Sequence, residues 1–302
     1  MRAVDLFAGA GGFTEGAEAS GLRVVWAANH CPLAVEVHQD NHPRTEHSCQ
    51  DLRQADFTRL PPFEVLLASP ACQGHSPASQ PARRPKHDAD RATAWSVVDC
   101  AEACLPRALV VENVPAFRRW VLFPVWLEAL RTLGYALEEL VLDAADFEVP
   151  QERRRLFVVG FRGRPRALLL PPPGGPRTPS RTVLDPEGTG WAPVASKPEQ
   201  VRDRVERGRR NHGPRFLTQH VTNHPGRSLD GPMATVTTAS QHWHLVDGPR
   251  MRALSVRELA RGQGFRDSYR LPEAIGPGTR LVGNAVPPPL AAAVVRAVAV
   301  AL

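Results

Sequence analysis

The chain has 302 residues, of which 42% are hydrophobic and 23% charged, and this balance is typical of a globular protein with a sizeable core. No apolar run approaches the roughly 18 residues of a membrane-spanning helix, and the N-terminus lacks a signal-peptide pattern. We therefore expect a cytoplasmic protein without a membrane partner. Five cysteines, an odd number with no C-x-x-C pair, disfavour a disulfide framework or a zinc knuckle.

The positive charge is concentrated in one segment. Between positions 163 and 246 the chain carries 12 Lys and Arg against 6 Asp and Glu, whereas the rest carries 25 of each. The net charge of +6 therefore belongs to that segment. Such an asymmetry predicts an anionic partner for it.

Short strand-like runs alternate with helical stretches over the first 160 residues. The predicted strands are 4–8, 22–28, 64–68, 108–112, 135–142 and 156–161, and the predicted helices are 12–20, 32–41, 92–104 and 123–134. This alternation predicts a doubly wound α/β sheet, in which ligands bind beyond the carboxyl ends of the strands.

A proline-rich run at 171–176 ends this alternation. The chain to about position 241 is rich in Pro, Gly, Arg and Thr with little periodicity, which indicates a small, irregular separate domain. A helix is predicted at 255–262, with Ser255 as its cap and Glu258 at the third helical position. The apolar helix 289–302 should be buried against the first domain. The predicted domains are thus 1–162, 163–246 and a returning segment 247–302.

A glycine-rich turn connects the first strand to the first helix. Glycines there let the backbone turn tightly and approach a ligand closely. Gly9 and Gly11 fit a dinucleotide fingerprint, but Thr14 occupies its third glycine position, and Asn29 stands where a ribose-binding acid is usual. The pattern therefore disfavours a nicotinamide dehydrogenase, and a cofactor loop or a purely structural turn both remain open.

Cys72 follows the third strand of the pattern, where a doubly wound sheet has its ligand crevice. The polar stretch after it, to Asp90, contains Arg83 and Arg84 and indicates a partly basic lid. A buried structural role fits Cys72 less well than it fits the cysteines of the apolar helix. A thiol reacts as its thiolate and needs local activation, for which His75 is one candidate base.

Five motifs in this order resemble the DNA cytosine C5-methyltransferases, and together they cover nearly the whole chain outside the basic insert. They are the turn at 9–16, Pro70-x-Cys72-Gln73, Glu112-Asn113-Val114, Gln151-x-Arg153-x-Arg155 and Gly283-Asn284-Ala285-Val286. The resemblance implies a Rossmann-like methyltransferase sheet of mixed strand direction, with a smaller, irregular target-recognition domain inserted.

The resemblance also implies the catalytic residues. Cys72 matches the nucleophile that adds to C6 of cytosine. Glu112 matches the residue that hydrogen-bonds the base at N3 and N4. Arg155, and with it Arg153, matches the positions that hold base O2 and support the catalytic loop, although a solvated basic run is the alternative.

S-adenosylmethionine is the implied cofactor, with S-adenosylhomocysteine as product and no metal. The matching cofactor positions are Phe7, Gly9, Gly11, Gly12, Asn29, His30, Asp51, Leu52, Asn284 and Val286. Three positions depart from the common pattern: Asn29 replaces an acid, His30 a stacking tryptophan, and Ala71 the proline before the nucleophile.

Double-stranded DNA is the implied partner of a monomeric enzyme. A cytosine inside a duplex must flip out to reach a buried cysteine. The candidate DNA contacts are Gln73, Ser76, Arg83, Arg84, Arg204, Arg207, Arg209 and Arg210, with Arg202 and Arg215. The arginines of the insert are alternatively a solvated helix face. Histidines at 220, 224, 242 and 244 lack accompanying cysteines or clustered acids, so we expect no metal there.

The predicted function is sequence-specific methylation of DNA at cytosine C5, of the kind found in restriction–modification. Methylation of RNA (tRNA) cytosine and a non-catalytic DNA-binding protein on the same scaffold are the alternatives. The retained residues Cys72, Glu112 and Arg155 favour an enzyme, and the size of the basic insert favours DNA.

Overall fold

The computed structural model describes residues 1–71, 92–163, 165–172, 174–221 and 223–302. The contacts divide the chain into two compact units. Unit 1 consists of Met1–Asp143, Arg154–Pro172 and Val286–Leu302. Unit 2 consists of Ala144–Arg153 and Pro173–Ala285.

The regular elements are numbered in chain order. The strands are β1 Arg2–Leu6, β2 Arg23–Asn29, β3 Glu46–Cys49, β4 Val65–Ala68, β5 Ala108–Asn113, β6 Tyr135–Asp143, β7 Gln151–Glu152, β8 Arg154–Arg162, β9 Ala192–Pro193, β10 Arg215–Gln219, β11 Met233–Ala234, β12 Trp243–Asp247 and β13 Arg250–Ala253. The helices are α1 Gly12–Ala19, α2 Pro32–Asn41, α3 Trp95–Cys104, α4 Phe123–Thr132, α5 Glu199–His212, α6 Val256–Gly262, α7 Ile275–Asn284 and α8 Pro288–Ala301.

Unit 1 is built on a seven-stranded sheet of order β3-β2-β1-β4-β5-β8-β6. Strands β1 to β5 pair in parallel, and β8 runs antiparallel to both β5 and β6. The predicted α/β fold with a mixed sheet is therefore confirmed. Every residue of β4 and of β5 is buried, as expected for strands whose two faces are both covered.

Successive residues of β1 serve the two faces of this sheet. Val4 and Leu6 join the core cluster formed with α3 and α4. Asp5, between them, bonds to Thr14 on α1. On the α1 face, α1 packs closely on α8, because a Cβ at Gly16 would lie 2.6 Å from the Cβ of Ala291.

Unit 2 contains a four-stranded antiparallel sheet of order β10-β12-β13-β9 and a short parallel pair, β11-β7. The Ser255 side chain accepts a bond from Glu258 N, and the Glu258 side chain accepts in return from Ser255 N, so the predicted capping box is present. The sequence did not predict the 14-residue helix α5, because α5 contains mostly charged residues and shows little apolar periodicity.

The units divide the chain at other residues than those predicted. The segment 247–285 belongs to unit 2, because Leu254, Leu259 and Phe265 share one core cluster with Met233 and Trp243. Residues 144–153 also belong to unit 2. The apolar pattern of α6 predicted a buried helix but could not indicate which core it joins.

By length and composition alone, one stretch of the described chain, Ile275–Ala301, could cross a membrane, although the sequence had suggested no such run. It consists of α7 and α8, which are separated by residues 285–287, and 61% of its most apolar window is buried. Burial of this extent is typical of core helices.

Candidate functional site

The glycine-rich turn leaves the carboxyl end of β1 and enters α1. Phe7 has a φ of 61°, a conformation that a bulky residue rarely adopts, and Gly9 and Gly11 also have positive φ. The turn is held by hydrogen bonds from Ala8 N to Ala28 O and from Gly11 N to Ala8 O. Hydrogen bonds thus hold the backbone before α1 in a conformation that is strained for residues other than glycine.

A chain of buried polar groups lies under this turn. Thr14 Oγ1 donates to Asp5 Oδ2 at 2.8 Å, and it lies 3.0 Å from His38 Nε2. His38 Nδ1 in turn lies 2.8 Å from His47 Nε2. Because Thr14 donates to Asp5, its hydroxyl oxygen accepts from His38 Nε2, and a neutral His38 then accepts from His47 at Nδ1.

Burial affects the titration of this chain. It raises the pKa of Asp5 to about 7, although the bonds from Thr14 act the other way. Burial, followed by the neighbouring imidazoles of His42 and His47, holds the pKa of His38 well below its usual range. Sequence reasoning did not identify these residues, and the only signal was an acid within the apolar strand β1.

The carboxyl ends of β2 and β3 bring the predicted nucleoside-binding residues together. Asn29 pairs with Cys49 across the two strands, and Gln50 N donates to Asn29 O. The Asn29 side chain accepts a bond from Cys31 N, so part of its polar capacity supports the start of α2. His30 is exposed at this edge.

Asp51 lies just beyond β3 and caps a short 3-10 helix, Leu52–Gln54. Bonds from the Arg53 side chain and backbone lower the pKa of Asp51 to about 2, so its carboxylate is ionised at neutral pH. The side chain of Leu52 is 2% exposed and belongs to the core cluster of unit 1. Leu52 therefore fixes the position of the neighbouring Asp51 through the core. Its own side chain is not available at the carboxyl edge of the sheet.

The described residues on either side of positions 72–91 are fixed to neighbouring elements. Asn113, at the end of β5, donates from Nδ2 to the carbonyl of Pro70 at 3.0 Å. Ala71 N donates to Thr93 Oγ1 at 3.1 Å, which joins the two sides of positions 72–91. Cys72, Gln73, Ser76, Arg83 and Arg84 lie outside the described residues.

Glu112 and Arg155 form an ion pair beside this point. Arg155 Nε lies 2.9 Å from Glu112 Oε1, and the two side chains are 11% and 9% exposed. The pair is possible because β5 and β8 are antiparallel neighbours, with Glu112 opposite Phe157. Arg155 Nη1 also donates to its neighbour's carbonyl, so these contacts use two of the five guanidinium N–H groups.

Arg153 does not join this pair. It belongs to unit 2, is 2% exposed, and donates to the carbonyls of Val236, Gly283 and Ala285. Gln151 makes similar internal bonds, to the carbonyl of Gly262 and from Val236 N. Strand alternation predicted that both arginines point to one side, but the units separate between Arg153 and Arg154.

The returning motif is also divided. Asn284 ends α7 in unit 2, whereas Val286 is the first residue of the last segment of unit 1.

The arginines of α5 are not equivalent. Arg204 is buried, so it is not on a solvated face. Arg209 bonds to Glu206 and to the carbonyl of Gly248. Arg207 is partly exposed, and Arg202 and Arg210 are exposed. Of the five predicted DNA contacts on this helix, Arg204 is thus buried and Arg209 is engaged within unit 2.

Comparison with known proteins gives a consistent result. A family model described as C-5 cytosine-specific DNA methylase matches residues 1–173 and 183–299. The Type II methyltransferase M.NlaX of Neisseria lactamica is 28% identical over 314 residues, covering 99% of this chain and 95% of that protein. M.XorII of Xanthomonas oryzae pv. oryzae is 28% identical over 96% of this chain and 82% of its own length.

Two solved structures share the fold. A putative DNA modification methyltransferase encoded within an E. coli prophage superposes with a TM-score of 0.76 at 18% identity, covering 100% of this chain and 99% of that one. The S. pombe Dnmt2 methyltransferase has a TM-score of 0.68 at 19% identity and covers 99% and 97%.

Proposed function

Because the chain belongs to the C-5 cytosine-specific DNA methylase family and is a DNA cytosine-5 methyltransferase, we propose that it modifies a flipped-out cytosine of duplex DNA through a covalent bond between Cys72 and C6. The observation that carries the proposal is the Glu112–Arg155 ion pair at the edge where Asn113 holds Pro70, two positions before Cys72. This chemistry needs an acid, a guanidinium and a thiol, and the first two lie together at this strand edge.

The reaction begins with addition of the Cys72 thiolate to C6. The S–C6 bond forms as the C5–C6 double bond opens, and the electron pair makes C5 nucleophilic. Glu112 hydrogen-bonds N3 and N4 of the base, and Arg155 donates to O2, so both favour the charge that the ring gains. C5 takes the methyl group, a base removes the C5 proton, and elimination of the thiolate restores the double bond.

The turn and the strand edge fit S-adenosylmethionine, which would supply an electrophilic methyl group. Phe7, Gly9, Gly11 and Gly12 would hold the methionine part, because the backbone there is open at glycine and strained at Phe7. The ionised Asp51 would accept from the adenine amino group.

The remaining cofactor positions fit to different degrees. Asn29 and His30 would contact the ribose and the adenine, and Asn29 does so without a carboxylate. Leu52 would act by supporting Asp51. Asn284 and Val286 complete the proposed set. No metal is needed, since in this scheme the thiolate supplies the nucleophile and Glu112 and Arg155 the electrostatic stabilisation.

Unit 2 would recognise the duplex. The segment 163–246 holds the net charge of +6, which suits the phosphate backbone, and base flipping costs a few kcal/mol that such contacts must offset. Arg202 and Arg210 are its exposed candidates on α5 and Arg207 is a partly exposed one, and Gln73, Ser76, Arg83 and Arg84 are the candidates that follow Cys72 in sequence. We further propose a monomer that acts in the cytoplasm with a cognate restriction enzyme, as the Type II names of the relatives suggest.

The test is transfer of labelled methyl groups to duplex DNA and, separately, to tRNA. Wild type should methylate the duplex, and Cys72→Ala should lose that activity entirely. Cys104→Ser removes a thiol elsewhere in unit 1, on α3, and should retain it. An undiminished rate in Cys72→Ala would overturn the nucleophile, and methylation of tRNA alone would overturn the substrate.

A further inference from the structure

A cluster of basic and imidazole side chains lies between α5 and the sheet of unit 2. Gly208 of α5 contacts Phe216 of β10, since a Cβ on Gly208 would come within 2.1 Å of that ring. Arg204 lies one turn before Gly208 on the same face of the helix. Thr218 lies two residues after Phe216 on the same face of the strand. Thr218 is paired with His244 of β12. Arg204 therefore lies over Thr218 and His244.

Among the described residues, no acid forms an ion pair with Arg204, and burial lowers its pKa. Its residue is 9% exposed, and its Nε and Nη2 have no hydrogen-bond partner among the described residues. Thr218 Oγ1 and His244 Nδ1 are also buried without a partner. Leaving a buried guanidinium unpaired is costly, so an arrangement of this kind favours an anion.

Four histidines lie close enough to Arg204 for its charge to act on them. The rings of His220 and His244 stack with centroids 4.6 Å apart and planes 5° apart. His224 Nδ1 accepts a bond from Gly226 N, so the neutral ring carries its proton on Nε2. His242 precedes β12, and its carbonyl accepts from His220 N.

The charges that act on these imidazoles are all basic. Burial, then the charge of Arg204, lowers the pKa of His224 to about 4, and burial, then His220 and Arg204, lowers that of His244 to about 4. The pKa values of His220 and His242 are lowered by burial first and Arg204 next. The other contributing groups are Lys197, Arg227 and His212.

A metal ion fits this cluster poorly. Among residues 1–71, 92–163, 165–172, 174–221 and 223–302, no group of three or more metal-binding side chains has suitable geometry. The fixed charge of Arg204 would also repel a cation. The same charge attracts an anion, and the imidazoles can donate to one once protonated.

We propose that Arg204, Thr218, His220 and His244 form an anion site that binds a phosphate group of the DNA backbone, and that proton uptake by the histidines accompanies binding. This inference rests on the proposed action on DNA. A bound phosphate offsets the basic charges that, after burial, disfavour protonation of the imidazoles, so their affinity for protons rises in the complex. Linkage then requires that affinity for DNA increases as the pH falls.

The experiment measures the Kd of the full chain for a 30-base-pair duplex between pH 5.5 and 8.0 and over a range of KCl concentrations. Wild type should bind about tenfold more tightly at pH 5.5 than at pH 7.5, since uptake of one proton allows up to a tenfold change per pH unit. Arg204→Met should bind more weakly, lose most of this pH dependence and show a salt slope smaller by about 0.9.

Two further variants keep the comparison interpretable. Arg202→Met removes the same charge from an exposed position of α5 and should retain the wild-type pH dependence. His244→Gln keeps Arg204 and should reduce the pH dependence, which tests the site even if Arg204→Met does not fold. Equal pH profiles for wild type, Arg204→Met and His244→Gln would overturn the proposal.

Inorganic phosphate distinguishes the source of the anion. Thermal unfolding is followed with 0 to 50 mM phosphate at constant ionic strength. A stabilisation that Arg204→Met lacks, without any change in duplex binding, would assign the site to a free anion and overturn the DNA role. Methyl transfer by wild type is measured independently, so failure of the proposed enzymatic function is distinguishable from failure of this site.

Discussion

In unit 1 the polar side chains of the candidate site follow the carboxyl ends of neighbouring strands, whereas in unit 2 they lie on a helix and the antiparallel sheet beneath it. Phe7, Asn29 and Asp51 come together because β1, β2 and β3 are adjacent and parallel. Arg204 and His244 come together only because α5 packs across β10 and β12. The first arrangement follows from the fold class. The second depends on how one helix, α5, packs on the sheet of unit 2.

Two arginines of one motif show the same contrast. Arg155 pairs with Glu112 in unit 1, and Arg153 donates to three carbonyls in unit 2. We expect Arg155→Lys to lower the rate of methyl transfer about 100-fold with a small change in stability, because it keeps a counter-charge for Glu112 but removes the guanidinium donors aimed at developing charge.

Arg153→Met should show the opposite pattern. It leaves buried carbonyls without donors and should lower the free energy of unfolding by about 3 kcal/mol. Denaturant unfolding and single-turnover methyl transfer, measured on both variants, separate the two effects. Equal losses of stability in the two variants would remove the distinction between the arginines.

A smaller effect on the rate is expected from a change at the end of β5, which is bonded to the chain just before Cys72. Asn113→Ala removes the bond to the carbonyl of Pro70, and it should lower the rate of methyl transfer about tenfold by misplacing the nucleophile. Asn41→Ala is the control, since it removes a side-chain bond to the carbonyl of Val37 in α2. A rate for Asn113→Ala that matches this control would contradict a positioning role.

The smallest effect concerns the pH dependence of stability. The pKa of Asp5 is raised from 3.8 to about 7 by burial, so its contribution to stability is fully present below about pH 4 and is lost as the pH rises through about 7. Asp5→Asn cannot ionise and should therefore gain stability relative to wild type over this interval.

Asp56 provides the matched control for Asp5. Bonds from the Thr58 side chain and backbone lower the pKa of Asp56, so its stabilising effect appears as the pH rises. The difference in unfolding free energy between Asp56→Asn and wild type should change with pH in the opposite direction. Parallel pH profiles for Asp5→Asn and wild type would show that Asp5 keeps an ordinary pKa.

The sequence predicted unit 1 well for a physical reason. Apolar runs of four to six residues, such as β4 and β5, separate cleanly from amphipathic helices, and parallel strands place their following residues at one edge. Strand β3 escaped prediction because its residues, Glu46 to Cys49, are mostly polar. The Asp5–His38 chain escaped because its members are distant in sequence and meet only through the packing of α1 and α2.

Unit 2 was harder to predict because its longest helix, α5, carries few apolar residues. In α5 the buried residues are Arg204, Val205 and Gly208, and a buried arginine has the same sequence signature as an exposed one. The boundary at 285 depends on which core receives α6 and α7. Such long-range choices leave no periodic signal in the chain.

The central claim is that the Cys72 thiolate attacks C6 of the target cytosine. Duplex DNA in which one strand carries 5-fluorocytosine throughout tests it most directly, because fluorine at C5 cannot leave as the proton does and the adduct is trapped. With S-adenosylmethionine present, wild type should give a protein–DNA band that survives denaturing electrophoresis, and Cys72→Ala should give none. Wild type that methylates ordinary duplex DNA but forms no such band, or a band that persists in Cys72→Ala, would contradict the account.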